Sequence, residues 1–123
     1  IGPTQEDWAT ISLVCLDGQT FAEPGRILVS ATGAQHNQDA VLERMSDNRV
    51  TYGRRWGSEP VLCEGIPVKI RLTSPGGKVQ LFPLDERGER MRAASVTVTP
   101  SGASIELKPQ FKTVWYELVI GDN

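Results

Sequence analysis

The feature that most constrains this chain is an alternation of apolar and polar side chains with a period of two. It recurs in short runs that are punctuated by glycine and proline. In "VKIRLT", Val68, Ile70 and Leu72 fall on one side, and Lys69, Arg71 and Thr73 on the other. Extended backbone points successive side chains to opposite faces, so this pattern belongs to strands with one face buried. "ATISLVCL" sets Ile11, Leu13 and Cys15 against Thr10, Ser12 and Val14, and stops at "DGQ" (Asp17 to Gln19). "RILVSAT" puts Ile27, Val29 and Ala31 together, and "TVWYELVI" does the same with Val114, Tyr116, Leu118 and Ile120. "PVLCEG", "VQLFPL", "SVTVTP" and "SIELK" complete a set of about eight short strands, the signature of an antiparallel sandwich or barrel. Runs that are polar on one face exclude a parallel sheet buried on both faces.

The turns between these runs have their own chemistry. "SPGGK" (Ser74 to Lys78) joins a proline that presets one dihedral to glycines that admit positive φ. "DERGER" is a polar turn, and "SGA" closes a hairpin between two alternating runs. Pro83 cannot donate to a ladder, so its strand is expected at a sheet edge or a bulge. The first seven residues, "IGPTQED", read as a tether.

From Gly33 to Gly57 the alternation lapses for about 25 residues; a loop of that length in a compact domain is usually either functional or disordered, and its aromatics and lack of proline argue for function. Within it, "DAVLERM" predicts a helical turn or two, with Asp39 as N-cap and Val41, Leu42 and Met45 at helical spacing. The expected architecture is therefore all-β: an antiparallel β-sandwich of about eight strands with one long loop. The 123 residues form one module, with no linker and no internal repeat. The chain begins with Ile1 rather than methionine, which suggests a processed chain or an excised piece of a longer one.

Charge removes several classes of partner. The formal net charge is −2 with both signs interspersed, whereas nucleic acid demands a basic face. A polybasic membrane contact is missing for the same reason, and runs such as "LVCL" are too short to span a bilayer. Cys15 and Cys63 each sit in an apolar strand-like run, with no CxxC or Cys/His cluster that would suggest zinc. Two readings stay open for them: buried free thiols, or one disulfide of a secreted protein.

Catalytic constellations find little support. His36 is the only histidine, so any Ser-His-Asp or Cys-His arrangement must use it, and no G-x-S-x-G is present. The 15 acidic residues could hold a glycosidase pair, but most fall in turns or, like Glu64, Glu106 and Glu117, on strand faces expected to meet water. No phosphate-binding loop occurs. Asp39, Glu43, Asp47 and Asn48 place oxygen ligands for calcium in one loop, without the spacing of an EF-hand. The chain is read as non-enzymatic and without an obligatory cofactor.

Sugar binding fits the residue types best. A pyranose presents a face of C–H bonds ringed by hydroxyls, which suits a flat aromatic ring flanked by planar donors. Tyr52, Arg54, Arg55 and Trp56 offer both within "TYGRRWG", with Asn48 just ahead. For Trp56 the alternative is an indole tucked under the loop as an anchor. Trp115 lies opposite Tyr116 and shares a face with Thr113, Glu117 and Val119, a mixture that makes it a second candidate platform. Trp8 opens the first strand, where it could cap the sandwich or meet a neighbouring domain.

The order "LDGQTFAEPGRILVSATG", "GRRWGSEPVLCEGIPVKIRL", "LDERGER" and "TVWYELVI", from Leu16 to Ile120, resembles the carboxy-terminal β-sandwich modules of large bacterial glycoside hydrolases. "GRILVSATG" and "WGSEPVLCEGIP" are its most specific elements. The resemblance implies a secreted, cellulase-like context in which the module follows a barrel-shaped catalytic domain. Some such modules bind carbohydrate and others buttress the catalytic domain. A non-catalytic module for soluble β-linked plant polysaccharide, β-glucan or xyloglucan, is the expectation, with packing on an attached catalytic domain as the alternative.

Overall fold

A computed structural model describes residues 1–17, 20–21, 23–73 and 75–121. Gly18 and Gln19 of "DGQ" and Ser74 of "SPGGK" lie outside the described residues, so those two turns are only partly in view. The strands are β1 (Thr10–Cys15), β2 (Gly25–Thr32), β3 (Gln35–Gln38), β4 (Glu43–Arg44), β5 (Val50–Thr51) and β6 (Ser58–Cys63). They are followed by β7 (Val68–Thr73), β8 (Lys78–Pro83), β9 (Val96–Thr99), β10 (Gly102–Leu107) and β11 (Trp115–Gly121), with one 3₁₀ turn at Pro109–Phe111. All pairings among the described residues are antiparallel.

Two sheets make the sandwich, one ordered β1-β2-β11-β8 and the other β7-β10-β9. Their inner stripes are the ones the alternation specifies. Val29, Leu81 and Leu118 from the first sheet and Ile105 and Leu107 from the second are almost wholly covered and belong to one cluster. Removing each such side chain from water is worth about 1.5–3 kcal/mol. β8 is an edge strand of its sheet, as Pro83 suits, and its far side meets the incoming chain through the Leu81–Ala94 bridge and a hydrogen bond from Met91 N–H to Pro83 O at 2.9 Å. "DERGER" closes on Asp85, whose Oδ1 accepts the backbone N–H groups of Arg87 at 2.9 Å and Glu89 at 2.8 Å.

All eight strands read from the sequence are present, and the total among the described residues is eleven because the long loop is itself β. β3 pairs with β6, and β4 with β5, as two separate ribbons. The helical turn expected at "DAVLERM" does not form. Asp39 has φ +60°, a left-handed conformation rather than the extended one an N-cap needs. The Val41 N–H donates to Arg55 O at 3.0 Å and the Met45 N–H to Arg49 O at 2.8 Å, so the backbone is satisfied across a hairpin. Val41, Leu42 and Met45 are exposed, and a helix here would have had no core to bury its apolar stripe against.

The amino-terminal stretch is laid down rather than hanging free, which corrects its reading as a tether. Gly2 N–H donates to Pro67 O at 2.7 Å, and Gln5 N–H to Glu64 Oε1 at 2.6 Å. Both cysteines are free thiols: Cys15 is half-buried in β1, whereas Cys63 on β6 is exposed and so is not a buried hydrophobe.

Leu118→Ala removes a fully covered side chain from the centre of β11. The expected loss is about 2–5 kcal/mol of unfolding free energy, measured by denaturant titration, with β-rich circular dichroism retained below the transition.

Candidate functional site

The site is built on the open end of the sandwich, where chain segments distant in sequence are tied by one carboxylate. Glu64 follows β6, and its Oε2 accepts the Ala34 N–H at 3.1 Å while its Oε1 holds Gln5. Its own N–H donates to Ala34 O at 2.9 Å. Glu64 was expected to face water; instead it is half-buried and joins the amino-terminal stretch to the start of β3. Gly33 is needed beside it, because a Cβ there would meet Ile66 Cδ1 at 2.5 Å and Glu64 Oε2 at 2.6 Å.

Beyond this knot the β3–β6 ribbon carries the segment that holds Trp56. Asn37 on β3 donates from Nδ2 to the Trp56 carbonyl at 3.0 Å. Gly57 follows with φ +72°, and a Cβ on it would lie 2.1 Å from Gln38 O. The backbone of Trp56 is therefore fixed on both sides, while its side chain stands open at 62 % relative exposure. The indole leans on Tyr52, with centroids 5.4 Å apart and planes tilted by 40°. Of the two readings of Trp56, the buried anchor is not the one observed.

Tyr52 in turn lines a groove of about 430 Å³ with Trp8, Gln35, His36, Leu42 and Val50. Trp8 is 50 % exposed and faces this groove, a placement its position ahead of β1 did not reveal. His36 Nδ1 donates to Asn37 O at 3.0 Å, which leaves Nε2 of the neutral ring as an acceptor. No serine, threonine or cysteine among the described residues hydrogen-bonds that ring. The groove thus offers aromatic faces together with amide and imidazole polar groups, an arrangement that can hold a flat ring with an apolar face and a polar edge.

The remaining sequence candidates are spread over three places. Tyr52, Gly53, Arg54 and Arg55 form a β-turn closed by Arg55 N–H to Tyr52 O at 2.7 Å. Gly53 has φ +55° at its first central position, where glycine carries no steric penalty. Arg54 is exposed at the turn, two residues before Trp56. Arg55 instead clamps the hairpin: its Nε donates to Glu43 Oε1 at 3.1 Å and its Nη2 contacts the same oxygen. Asn48 caps the β4–β5 hairpin at its far end, with φ +64° and its N–H on Met45 O at 3.1 Å, so it is not brought to Trp56. Asp47 pairs with Arg49 through Nε at 2.6 Å. Among the described residues no three acidic, histidine or cysteine side chains converge as metal ligands, so the oxygens considered for calcium do not form a cage.

Trp115 stands apart, 46 % exposed, walling a larger cleft of about 940 Å³ with Val61, Leu62, Met91 and Phe111. The β3–β6 ribbon borders both cavities, with β3 lining the first and β6 the second. On the sheet face that carries Trp115, Glu117 is only 7 % exposed and does not meet water as expected. Arg90 reaches back from the end of "DERGER", donates from Nε to Glu117 Oε2 at 2.6 Å, and lies 4.6 Å over the Phe82 ring. Arg26 approaches the other oxygen at 3.9 Å. The hydrogen bond from Arg90 holds the Glu117 carboxyl below the usual range, against the opposing effect of burial.

Against this geometry, comparisons with known proteins add no relative: no family model, no curated protein and no solved structure matches the chain. What the structure defines is an antiparallel β-sandwich with an aromatic groove at one end.

A carboxyl depressed in the folded state adds stability above its unfolded value of 4.5, and that contribution is lost as pH falls through the folded value. Arg90→Met is expected to destabilise at neutral pH by about 1–3 kcal/mol, because a covered carboxylate loses its principal donor. The difference between variant and parent should shrink as pH falls below that range. Thermal unfolding at a series of pH values tests this, and a gap constant down to strongly acid pH would refute the role of the pair.

Proposed function

We propose that this domain is a non-catalytic carbohydrate-binding module for soluble β-linked plant polysaccharide, β-glucan or xyloglucan, attached to a secreted glycoside hydrolase. The observation that carries the reading is Trp56: an indole open to water on a backbone pinned by Asn37 and Gly57. An exposed ring held rigidly loses little entropy when a pyranose stacks on it. Trp8 and Tyr52 extend the aromatic surface into the groove, and Gln35 and His36 provide hydroxyl partners. Tethering an enzyme to its polymer raises the local substrate concentration without any new catalytic contact. His36, the only histidine, is engaged with a backbone carbonyl, which favours a binding role over nucleophilic catalysis.

A second reading has its own support. The outer face of the four-stranded sheet carries a row Val14, Leu28 and Glu117, beside Trp115 and Val119. Val14 and Trp115 are exposed on it, which suits a surface packed against an attached catalytic domain.

Titration of the domain with xyloglucan, β-glucan and xylan oligosaccharides, followed by tryptophan fluorescence, separates the two. Binding should shift the emission, and Trp56→Ala should weaken affinity at least about tenfold, or about 1.4 kcal/mol, with little change in Tm. Emission unmoved by every glycan would favour the buttress; loss of stability in Trp56→Ala would mark the indole as a packing residue.

A further inference from the structure

The hairpin beside Trp56 carries an excess of positive charge that its own acids do not neutralise. Between Val41 and Gly57 the chain has Arg44, Arg49, Arg54 and Arg55 against Glu43 and Asp47 alone, although the whole protein has a net charge of −2. Both acids are already taken: Glu43 by Arg55 and Asp47 by Arg49. Arg44 and Arg54 are exposed and make no ion pair or side-chain hydrogen bond among the described residues. Neither is placed at random. Arg54 occupies the second central position of the Gly53 turn, with its backbone fixed by the Tyr52–Arg55 hydrogen bond and Trp56 two residues on. Arg44 lies directly across from Val50 in the β4–β5 ladder, on the face that also presents Leu42 and Tyr52 to the groove.

From this placement we propose that the site selects saccharide chains bearing an anionic group, a uronate carboxylate or a sulfate ester, over neutral glucans. The inference rests on the saccharide-binding reading and names its ligand class. A pyranose stacked near Trp56 brings its acidic substituent to the guanidinium of Arg54, and Arg44 serves the next unit along the groove. Guanidinium is a planar fork of N–H donors that matches a carboxylate at two points, whereas toward a neutral hydroxyl it gains no charge-assisted bond. Among the residues that line the groove the one acid is Glu6, on the amino-terminal stretch two residues before Trp8. That charge repels an acidic substituent from the Trp8 end and sets the ligand's direction, with its acid toward the hairpin.

Calorimetric titration of the chain tests this with four probes: a xylotetraose bearing one glucuronate, the same compound with its carboxyl reduced to an alcohol, cellotetraose, and a sulfated galactan tetraose. The acid-bearing xylotetraose should bind about three- to tenfold more tightly than its reduced form. The preference should shrink as salt rises from about 50 to about 500 mM, since exposed charge pairs are screened. Arg54→Gln, checked for an unchanged Tm, should bring the ratio between the two xylotetraoses toward one; Arg44→Gln should reduce it in part. Trp56→Ala should weaken both ligands together. A preference for the sulfated probe over the glucuronate would identify sulfate as the anionic source, and the reverse would identify the carboxylate. Equal affinity for the acid and reduced forms overturns the inference while leaving a saccharide site standing. So does a preference that survives both arginine substitutions. Failure of all four probes to bind overturns the inference together with the reading it rests on.

Discussion

The groove depends on the Glu64 carboxylate, which ties together two chain segments that the β1–β2 ladder, ending with Thr10 opposite Thr32, brings side by side. A sandwich buries its sheets face to face but leaves its ends open, and backbone N–H groups there must find partners or stay in water. Glu64 satisfies Gln5 with one oxygen and Ala34 with the other, which holds the Trp8 segment beside the first residues of β3. Gly33 admits this close approach, since any side chain at that position would occupy the place of the carboxylate and of Ile66. The distance between Trp8 and Tyr52 across the groove is thus inherited from a hydrogen-bonded knot deeper in the fold.

Beyond the knot, rigidity is concentrated in backbone while apolar side chains are left outside. β6 is exposed at every position, and Val61 and Leu62 stand in water beside the Trp115 cleft. Trp56 follows the same logic at smaller scale: Asn37 and Gly57 fix its main chain, and Tyr52 supports one side of its ring. Leaving so many apolar groups exposed sacrifices burial energy that a purely structural loop would have used. The proposed sugar contact accounts for that exposure at the groove, and the packing reading accounts for it on the outer sheet.

Acidic residues fill two physical roles around these arginines, and only their surroundings separate them. Glu117 is covered and held by Arg90, so its charge is a matter of stability. Glu43 and Asp47 lie at the surface, where their pairs with Arg55 and Arg49 contribute little energy but occupy those guanidinium groups. The consequence of that occupation is the pair of arginines, Arg44 and Arg54, left available to a ligand.

The sequence by itself determined the seven sandwich strands and their inward faces, together with β6, because alternation at period two is a local property that any neighbouring sheet must respect. Val68, Ile70 and Leu72 were legible in that way, as were the edge position of Pro83 and the paired aromatic and arginine types around "TYGRRWG". The tertiary structure alone decided the rest. β3, β4 and β5 are two to four residues long and mostly polar, so their strand character comes from pairing and not from pattern. Glu64 and Glu117 looked solvated because their partners lie 59 and 27 positions away, and no local period encodes a contact of that range. Trp8 came to the groove, and Asn48 was carried away from Trp56, for the same physical reason: strand pairing between distant segments, not the spacing of residues along the chain, decides which side chains share a surface.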